Sequence, residues 1–375
     1  MSNTFDDNDR KWMKRALELA EKGAGYVSPN PMVGCVIVSE DGRLLGEGYH
    51  ERYGESHAEI NALESVKDRT NLIDATVYVT LEPCSHDGKT PPCAEKLGEL
   101  PFNRIVVAMQ DPNPEVDGRG IRHLENQGIQ VDVGLMEKKA RGLNEFFLHH
   151  VTHLEPFVTL KIAQTADGYI AAPDGKARWI TGDASRERVH LWRSRYDAVM
   201  VGRNTAQMDN PRLTVRHVEG RQPRRIVVDG KKELSGDLNL FSDQYEEKTI
   251  VITHGEGEQG DEDDPMLDIL KSNYFRGKTI RVPPYQGHSD LKKAFKELYN
   301  MGITSILVEG GQALSRALLR RNLVDKLELF IAPKLLGGGM RSVTGLGIHH
   351  VDESIRLYDV GWQQVGDDML LSAYL

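Results

Sequence analysis

The 375-residue chain has only three cysteines, Cys35, Cys84 and Cys93. That odd number is too small for the disulfide frameworks that staple compact secreted folds. Aromatic residues are scarce at 7%, and no basic stripe offsets a formal net charge of −9. A protein that tracks single-stranded nucleic acid needs a cationic groove and stacking aromatics, so that class of partner is not expected. No apolar run is long enough to span a bilayer. The opening stretch MSNTFDDNDRKWMKRALELAEKG is polar and then amphipathic, without the apolar segment of a secretory signal. These absences predict a soluble, cytoplasmic protein with neither a nucleic-acid nor a membrane partner. Thiols there are buried, metal-bound or reactive.

What is present is length and alternation. A chain of this size exceeds one ordinary hydrophobic core, which favours two domains. Trp12, Met13, Ala16, Leu17, Leu19 and Ala20 recur at helical spacing before Gly23. VGCVIV and LLGEGYH flank an Asp-Gly pair and predict an antiparallel hairpin. HAEINALESV, ATVYVTLEP, PCAEKLGEL, RIVVAM, GIRHLENQG and IQVDVGL then alternate helix and strand, which predicts an α/β layered sandwich. NEFFLHHVTHLEP reads as a connection into a second α/β unit that opens on FVTLKIA, so the expected domains are 1–150 and 151–375. Residues 255–260, GEGEQG, match G-x-G-x-x-G after the strand TIVITH, but the following DEDD and Pro265 mark an exposed acidic loop, not a pyrophosphate site.

Chemistry concentrates in two places. His57-Ala58-Glu59 opens a predicted helix, and Pro83-Cys84 follows a predicted strand with Cys93 further along. One imidazole and two thiolates make a zinc ligand set whose fourth position stays open, and Glu59 suits a proton shuttle beside it. Zinc nucleobase deaminases carry H-x-E followed by P-C-x-x-C, whereas here residues 85–92 separate the cysteines. Gly88 and Pro91-Pro92 are placed to fold that insert outward. A closed structural site, with His86 or His50 as fourth ligand, is the alternative. Cys35 reads as a small buried apolar residue. In the second half, VEGGQALSRALL runs strand, glycine pair, helix, a pattern that serves either a phosphate or tight packing. Arg193 and Arg216 are candidates to clamp a phosphate.

SPNPMVGCVIV, GEGYH, HAE and LEPCSHDGKTPPC closely resemble the motifs of the bifunctional riboflavin-biosynthesis deaminase/reductase family, lengthened cysteine spacing included. The resemblance implies a cytidine-deaminase-like three-layer α/β/α domain with zinc on His57, Cys84 and Cys93, Glu59 as shuttle, and pyrimidine contacts at Asn30, His50 and His86. TLKIAQTADG, RWITG, DNPRLTVR, VEGG and LVDKLELFIAPKLLGG resemble the family's reductase domain, which is similar to dihydrofolate reductase. There the resemblance implies NADPH at Ala163, Trp179, Thr205, Asp209 and the loop Gly310, Gly311, Gln312, Ala313, Leu314, Ser315, Arg316 and Ala317. It implies substrate contacts at Lys161, Ala177, Arg193, Leu213, Arg216 and Glu309, with Ala177 standing where the family often has a serine. The implied chemistry is deamination of a diaminopyrimidinone ribosylamino phosphate, then reduction of its ribosyl group to ribityl, in a homodimer joined through the reductase half.

Overall fold

The computed structural model describes residues 5–85, 92–114, 116–177, 179–254 and 275–375. They fall into two compact units, Met1–Leu154 and Glu155–Leu375.

The first unit is built on strands β1 (Gly34–Val38), β2 (Leu44–Tyr49), β3 (Thr76–Val79), β4 (Arg104–Val107) and β5 (Gln130–Val133), in the order β2-β1-β3-β4-β5. β1 pairs antiparallel with β2 and β3, while β3, β4 and β5 run parallel. Its helices are α1 (Asp7–Glu21), α2 (Ala58–Ser65), α3 (Cys93–Gly98), α4 (Arg119–Asn126), α5 (Glu137–Leu143) and α6 (Glu145–His153). A reciprocal cap starts α1: Asp6 accepts the Asp9 N–H at 2.7 Å and Asp9 accepts the Asp6 N–H at 3.2 Å.

Two glycines show that helices cover both sheet faces. A Cβ on Gly34 would lie 2.0 Å from the Ala16 carbonyl of α1, and one on Gly48 would lie 2.4 Å from the Ala62 nitrogen of α2. Gly48 is paired with Cys35, the neighbour of Gly34, so the two glycines face opposite sides of the sheet. Strand β1 is accordingly buried throughout, and Met13, Val36, Ile37, Val77 and Ile105 share one core. The stretch expected as a connection is helical as α6. Asn144 at its start exchanges hydrogen bonds with the Met32 main chain at 2.8 and 2.9 Å, which ties that segment to the first unit. Pro156 marks where the chain leaves it, and the helix before that proline carries its own period.

In the second unit the strands are β6 (Phe157–Thr165), β7 (Tyr169–Ala171), β8 (Ala198–Gly202), β9 (Arg224–Val228), β10 (Thr249–His254), β11 (Lys278–Val282), β12 (Pro284–Tyr285), β13 (His288–Ser289), β14 (Ser305–Val308), β15 (Lys326–Ala332), β16 (Met340–Arg341), β17 (Tyr358–Val365) and β18 (Asp368–Tyr374). The main sheet runs β11-β10-β9-β8-β14-β6-β15-β18-β17. It is parallel from β11 to β15 and antiparallel through β18 and β17. Helices α7 (Asp183–Arg195), α8 (Arg203–Asp209), α9 (Asn239–Ser242), α10 (Leu291–Asn300) and α11 (Gln312–Leu319) complete it. Leu160, Met200, Ile226, Ile252, Ile306 and Leu318 form its central core. The parallel strands carry their open ends, and the loops that follow, to one edge of the sheet, where ligands of such folds bind. Among the described residues, no helix is long and apolar enough to cross a membrane. GEGEQG and His86 lie outside the described residues.

Candidate active sites

In the first unit, His57 is the extended residue that precedes α2, which puts Glu59 in the first helical turn. Cys84 follows β3, and Cys93 opens α3. The His57 Nδ1 lies 3.5 Å from Cys84 Sγ and 3.4 Å from Cys93 Sγ. Tetrahedral zinc with ordinary Zn–S and Zn–N bonds separates such atoms by about 3.6 Å, so the donor set fits. This is the metal-capable cluster among the described residues, and it contains three ligands. The Cys93 N–H donates to Cys84 Sγ at 3.3 Å. Bonds from the Cys93 thiol and from His57 pull the Cys84 thiol down to about 4, against its burial. Sharing a proton with Cys84, together with burial, holds Cys93 up. The pair binds one proton between them until a cation replaces it.

Glu59 is 3% exposed. Burial and the charge of Cys84 push its carboxyl up to about 7, where it exchanges protons near neutral pH. His50, also buried, sits edge-on to His57 with ring centroids 5.5 Å apart. The His50 Nδ1 lies 3.0 Å from the Ser56 carbonyl, and its Nε2 lies 3.2 Å from the Asn30 amide nitrogen. A proton on Nδ1 satisfies both, which leaves a neutral ring, and burial lowers its proton affinity in the same sense. Both His50 nitrogens are engaged, so it does not close the zinc site.

The second unit gathers its candidates around one cavity of about 1530 Å³. Lys161, Ala163, Ala177, Trp179, Arg193, Thr205, Asp209, Leu213, Arg216, Glu309 and Gly310 through Ala317 all line it. Gly311 is the extended N-cap of α11, so the first N–H groups of that helix lack helical acceptors. Glu309 anchors a charge cluster. Its carboxylate accepts Arg193 Nε at 2.6 Å and Nη2 at 3.0 Å and lies 3.5 Å from Lys161 Nζ. Burial opposes ionisation, but Arg193 and Lys161 together hold Glu309 down at about 2. Arg193 is therefore ion-paired with Glu309 while both it and Arg216 bond Thr214, so the two guanidinium groups lie close together but only Arg216 is free of a carboxylate partner among the described residues. The Arg216 Nη1 donates to Thr214 Oγ1 at 2.9 Å, and the Arg216 backbone N–H donates to His190 Nδ1 at 3.2 Å. Ala177 contributes a wall without a polar atom.

Three features escaped the sequence reading. Glu82, two residues before Cys84, is 3% exposed and accepts the N–H groups of Asp111, Gly118, Gly120 and Ile121 at 3.2, 3.0, 2.9 and 3.3 Å. Its place in the quoted LEPC motif was the available signal. His190 lines the cavity with burial and the Arg193 charge pressing its proton affinity down to about 4. Lys231, His254 and Arg320 line the cavity's far end without any motif to announce them.

Comparison with known proteins supplies the family context. Residues 156–371 match the family described as RibD C-terminal domain, and residues 6–109 match the cytidine and deoxycytidylate deaminase zinc-binding region. A riboflavin biosynthesis protein RibD of Aquifex aeolicus is 40% identical over 97% of both chains. That of Escherichia coli K12 is 38% identical over 97% of this chain and 98% of its own. The solved diaminohydroxyphosphoribosylaminopyrimidine deaminase/5-amino-6-(5-phosphoribosylamino)uracil reductase of Thermotoga maritima is similar over 98% of each chain, with 36% identity and a TM-score of 0.83.

Proposed function

The chain belongs to the RibD family of riboflavin biosynthesis, bifunctional enzymes with a zinc-dependent deaminase and an NADPH-dependent reductase, and on that premise we propose which of its residues carry each reaction. The deaminase substrate is 2,5-diamino-6-ribosylamino-4(3H)-pyrimidinone 5′-phosphate. His57, Cys84 and Cys93 would hold zinc, which would supply an acidified water as nucleophile. The Glu59 carboxylate would accept a proton from the attacking water and return it to the departing amine, so that one water is consumed and one ammonia is released. Asn30 and the neutral His50 orient the pyrimidine, with His86 as a further contact. The observation that carries this reading is the three-donor cluster with the buried Glu59 carboxyl beside it.

In the reductase unit, bound NADPH would supply the hydride that reduces the ribosyl group, in its ring-opened imine form, to ribityl. The α11 start after Gly310 and Gly311 would hold the cofactor's pyrophosphate, and Ala163, Trp179, Thr205 and Asp209 would be further cofactor contacts. Lys161, held by Glu309, sits beside the reacting carbon. Arg216 takes the substrate phosphate, and Leu213 and Ala177 form apolar wall. A homodimer through this unit, in the cytoplasm, completes the proposal. It is supported by the edge strand β17, which exposes Tyr358, Val360 and Trp362 at 48–59%, and sedimentation checks it.

The test follows ammonia release and NADPH oxidation in one reaction. Glu59→Gln should stop ammonia release while zinc stays bound, with oxidation restored by supplying the deaminated aminouracil. Ammonia release at the wild-type rate overturns the shuttle.

A further inference from the structure

Three of the stretches that resemble the family meet at one turn. TADG closes β6, WITG lies just before α7, and PKLLGG follows β15. Asp167 of the first and Lys334 of the third do not line the cavity. Both are nevertheless joined to a residue that does.

Residues 179–182 belong to no helix or strand, so side chains from elsewhere must satisfy their main chain. Lys334 Nζ donates to the Trp179 carbonyl at 2.9 Å and to the Ile180 carbonyl at 2.7 Å. Arg186 Nη1 donates to the Thr181 carbonyl at 2.9 Å. Asp368 Oδ2 accepts the Gly182 N–H at 2.8 Å and the Ser185 hydroxyl at 2.6 Å. Trp179 itself lines the cavity and is 65% exposed, with the Arg186 guanidinium 4.4 Å from its ring centroid. The indole is therefore aimed by its main chain and one cation, not by core packing.

Two consecutive carbonyls converge on the Lys334 ammonium. Without that cation their dipoles would face one another unpaired, and the Trp179–Ile180 peptide would turn to separate them. Lys334 is in turn fixed from the end of β6. Its carbonyl accepts the Ala166 N–H at 2.9 Å, and Asp167 accepts the N–H groups of Leu336 and Gly337 at 3.0 and 2.7 Å. Bonds from the Thr165 hydroxyl and from Gly337 hold the Asp167 carboxyl down at about 2, so it remains an acceptor at neutral pH. Leu335 beside Lys334 is 81% exposed, which leaves hydrogen bonds rather than burial to set this segment.

We propose that Lys334 is a positioning residue of the reductase: its ammonium fixes the Trp179–Ile180 turn and so presents the Trp179 indole to bound NADPH. Lys334 touches neither ligand. The proposal rests on the cofactor reading of Trp179 above and adds the group that aims the ring.

Fluorescence titration of the full chain with NADPH measures cofactor affinity without turnover. Lys334→Met keeps the length and removes the ammonium. It should weaken NADPH about five- to tenfold, less than the loss of a charge-assisted bond made directly to a ligand. Lys334→Arg, which restores cationic donors, should recover affinity to within about threefold of wild type. In turnover with the deaminated aminouracil, Lys334→Met should raise KM for NADPH while kcat at saturation stays near wild type. Because Lys334 is exposed, its thermal midpoint should also stay near wild type. Trp179→Ala should weaken NADPH by itself, and adding Lys334→Met to it should change little more, since both act through one ring. If Lys334→Met binds NADPH as the wild type does while Trp179→Ala binds it weakly, the proposal falls and the cofactor reading stands. Weakening that adds in full to that of Trp179→Ala, that Lys334→Arg does not relieve, or that accompanies a fall of more than about 5 °C in the midpoint also overturns it. If Trp179→Ala binds NADPH like the wild type, the cofactor reading of Trp179 falls and takes the proposal with it.

Discussion

Replacing Glu82 should damage the deaminase unit without touching a zinc ligand. The buried carboxylate is the acceptor for four backbone N–H groups between Asp111 and Ile121. Of those four residues, Asp111, Gly118 and Gly120 are buried and Ile121 is half-buried. A buried donor left without a partner costs about 1–3 kcal/mol. The four share one acceptor, and water entering the space left by truncation rehydrates part of them, so the losses do not add. Glu82→Ala should therefore cost about 3–5 kcal/mol, close to the loss of a buried charge partner, and lower the unit's melting temperature by about 10 °C. Glu82→Gln is the sharper variant. It keeps the volume and one acceptor oxygen, but points an NH₂ at two N–H donors, for a cost of about 2–4 kcal/mol. Urea unfolding of the full chain gives the stability, and amide exchange of the 111–121 segment assigns the loss to this unit. A Glu82→Gln protein within about 0.5 kcal/mol of wild type, with unchanged exchange there, would refute the reasoning.

Other outcomes follow from the two sites. Cys93→Ala removes one of three donors, so metal analysis should find zinc lost and ammonia release absent, while NADPH oxidation of the deaminated substrate continues. Arg193→Ala leaves the Glu309 carboxylate, 9% exposed, with Lys161 alone at 3.5 Å. The unit should lose about 3 kcal/mol, and a double-mutant cycle with Glu309→Gln should show strong coupling between the two. Acid should weaken the reductase unit in two stages. His190, held at about 4 against an ordinary 6.5, withholds in the fold a proton that the unfolded chain accepts, so stability falls as pH drops from 6.5 toward 4. Glu309, held at about 2 against 4.5, contributes about 3 kcal/mol that is complete above pH 4.5 and lost as pH falls toward 2. Unfolding midpoints recorded between pH 7 and 3 check both, and His190→Asn should remove the first stage.

Much of this was legible in the chain itself. Period-2 and period-3.6 patterns located most strands and helices, because side chains must alternate or spiral to reach a core whatever the topology. The His57-Ala58-Glu59 and Pro83-Cys84 motifs announced zinc chemistry, because one imidazole and two thiolates near an acid serve few other purposes. Every reductase residue to which the resemblance pointed lines the one cavity. Helix α6 was missed because Pro156 and a histidine-rich composition outweighed its period. The nine-stranded order was beyond reach, since pairing between strands as distant as β14 and β6 leaves no local trace.

Residue chemistry and short-range pattern, then, determined the α/β fold class and pointed to a metal site, while the motif resemblance supplied the division of labour and the expected zinc ligands. The tertiary structure alone decided protonation and partnership. Whether Glu59 titrates near 7 depends on burial and on Cys84 arriving from another element. Arg193 meets Glu309 across 116 residues, and Lys231 faces the same cavity as His254 because β9 and β10 lie side by side. Electrostatics and hydrogen bonding act over a few ångströms of space, and only the folded chain sets those distances.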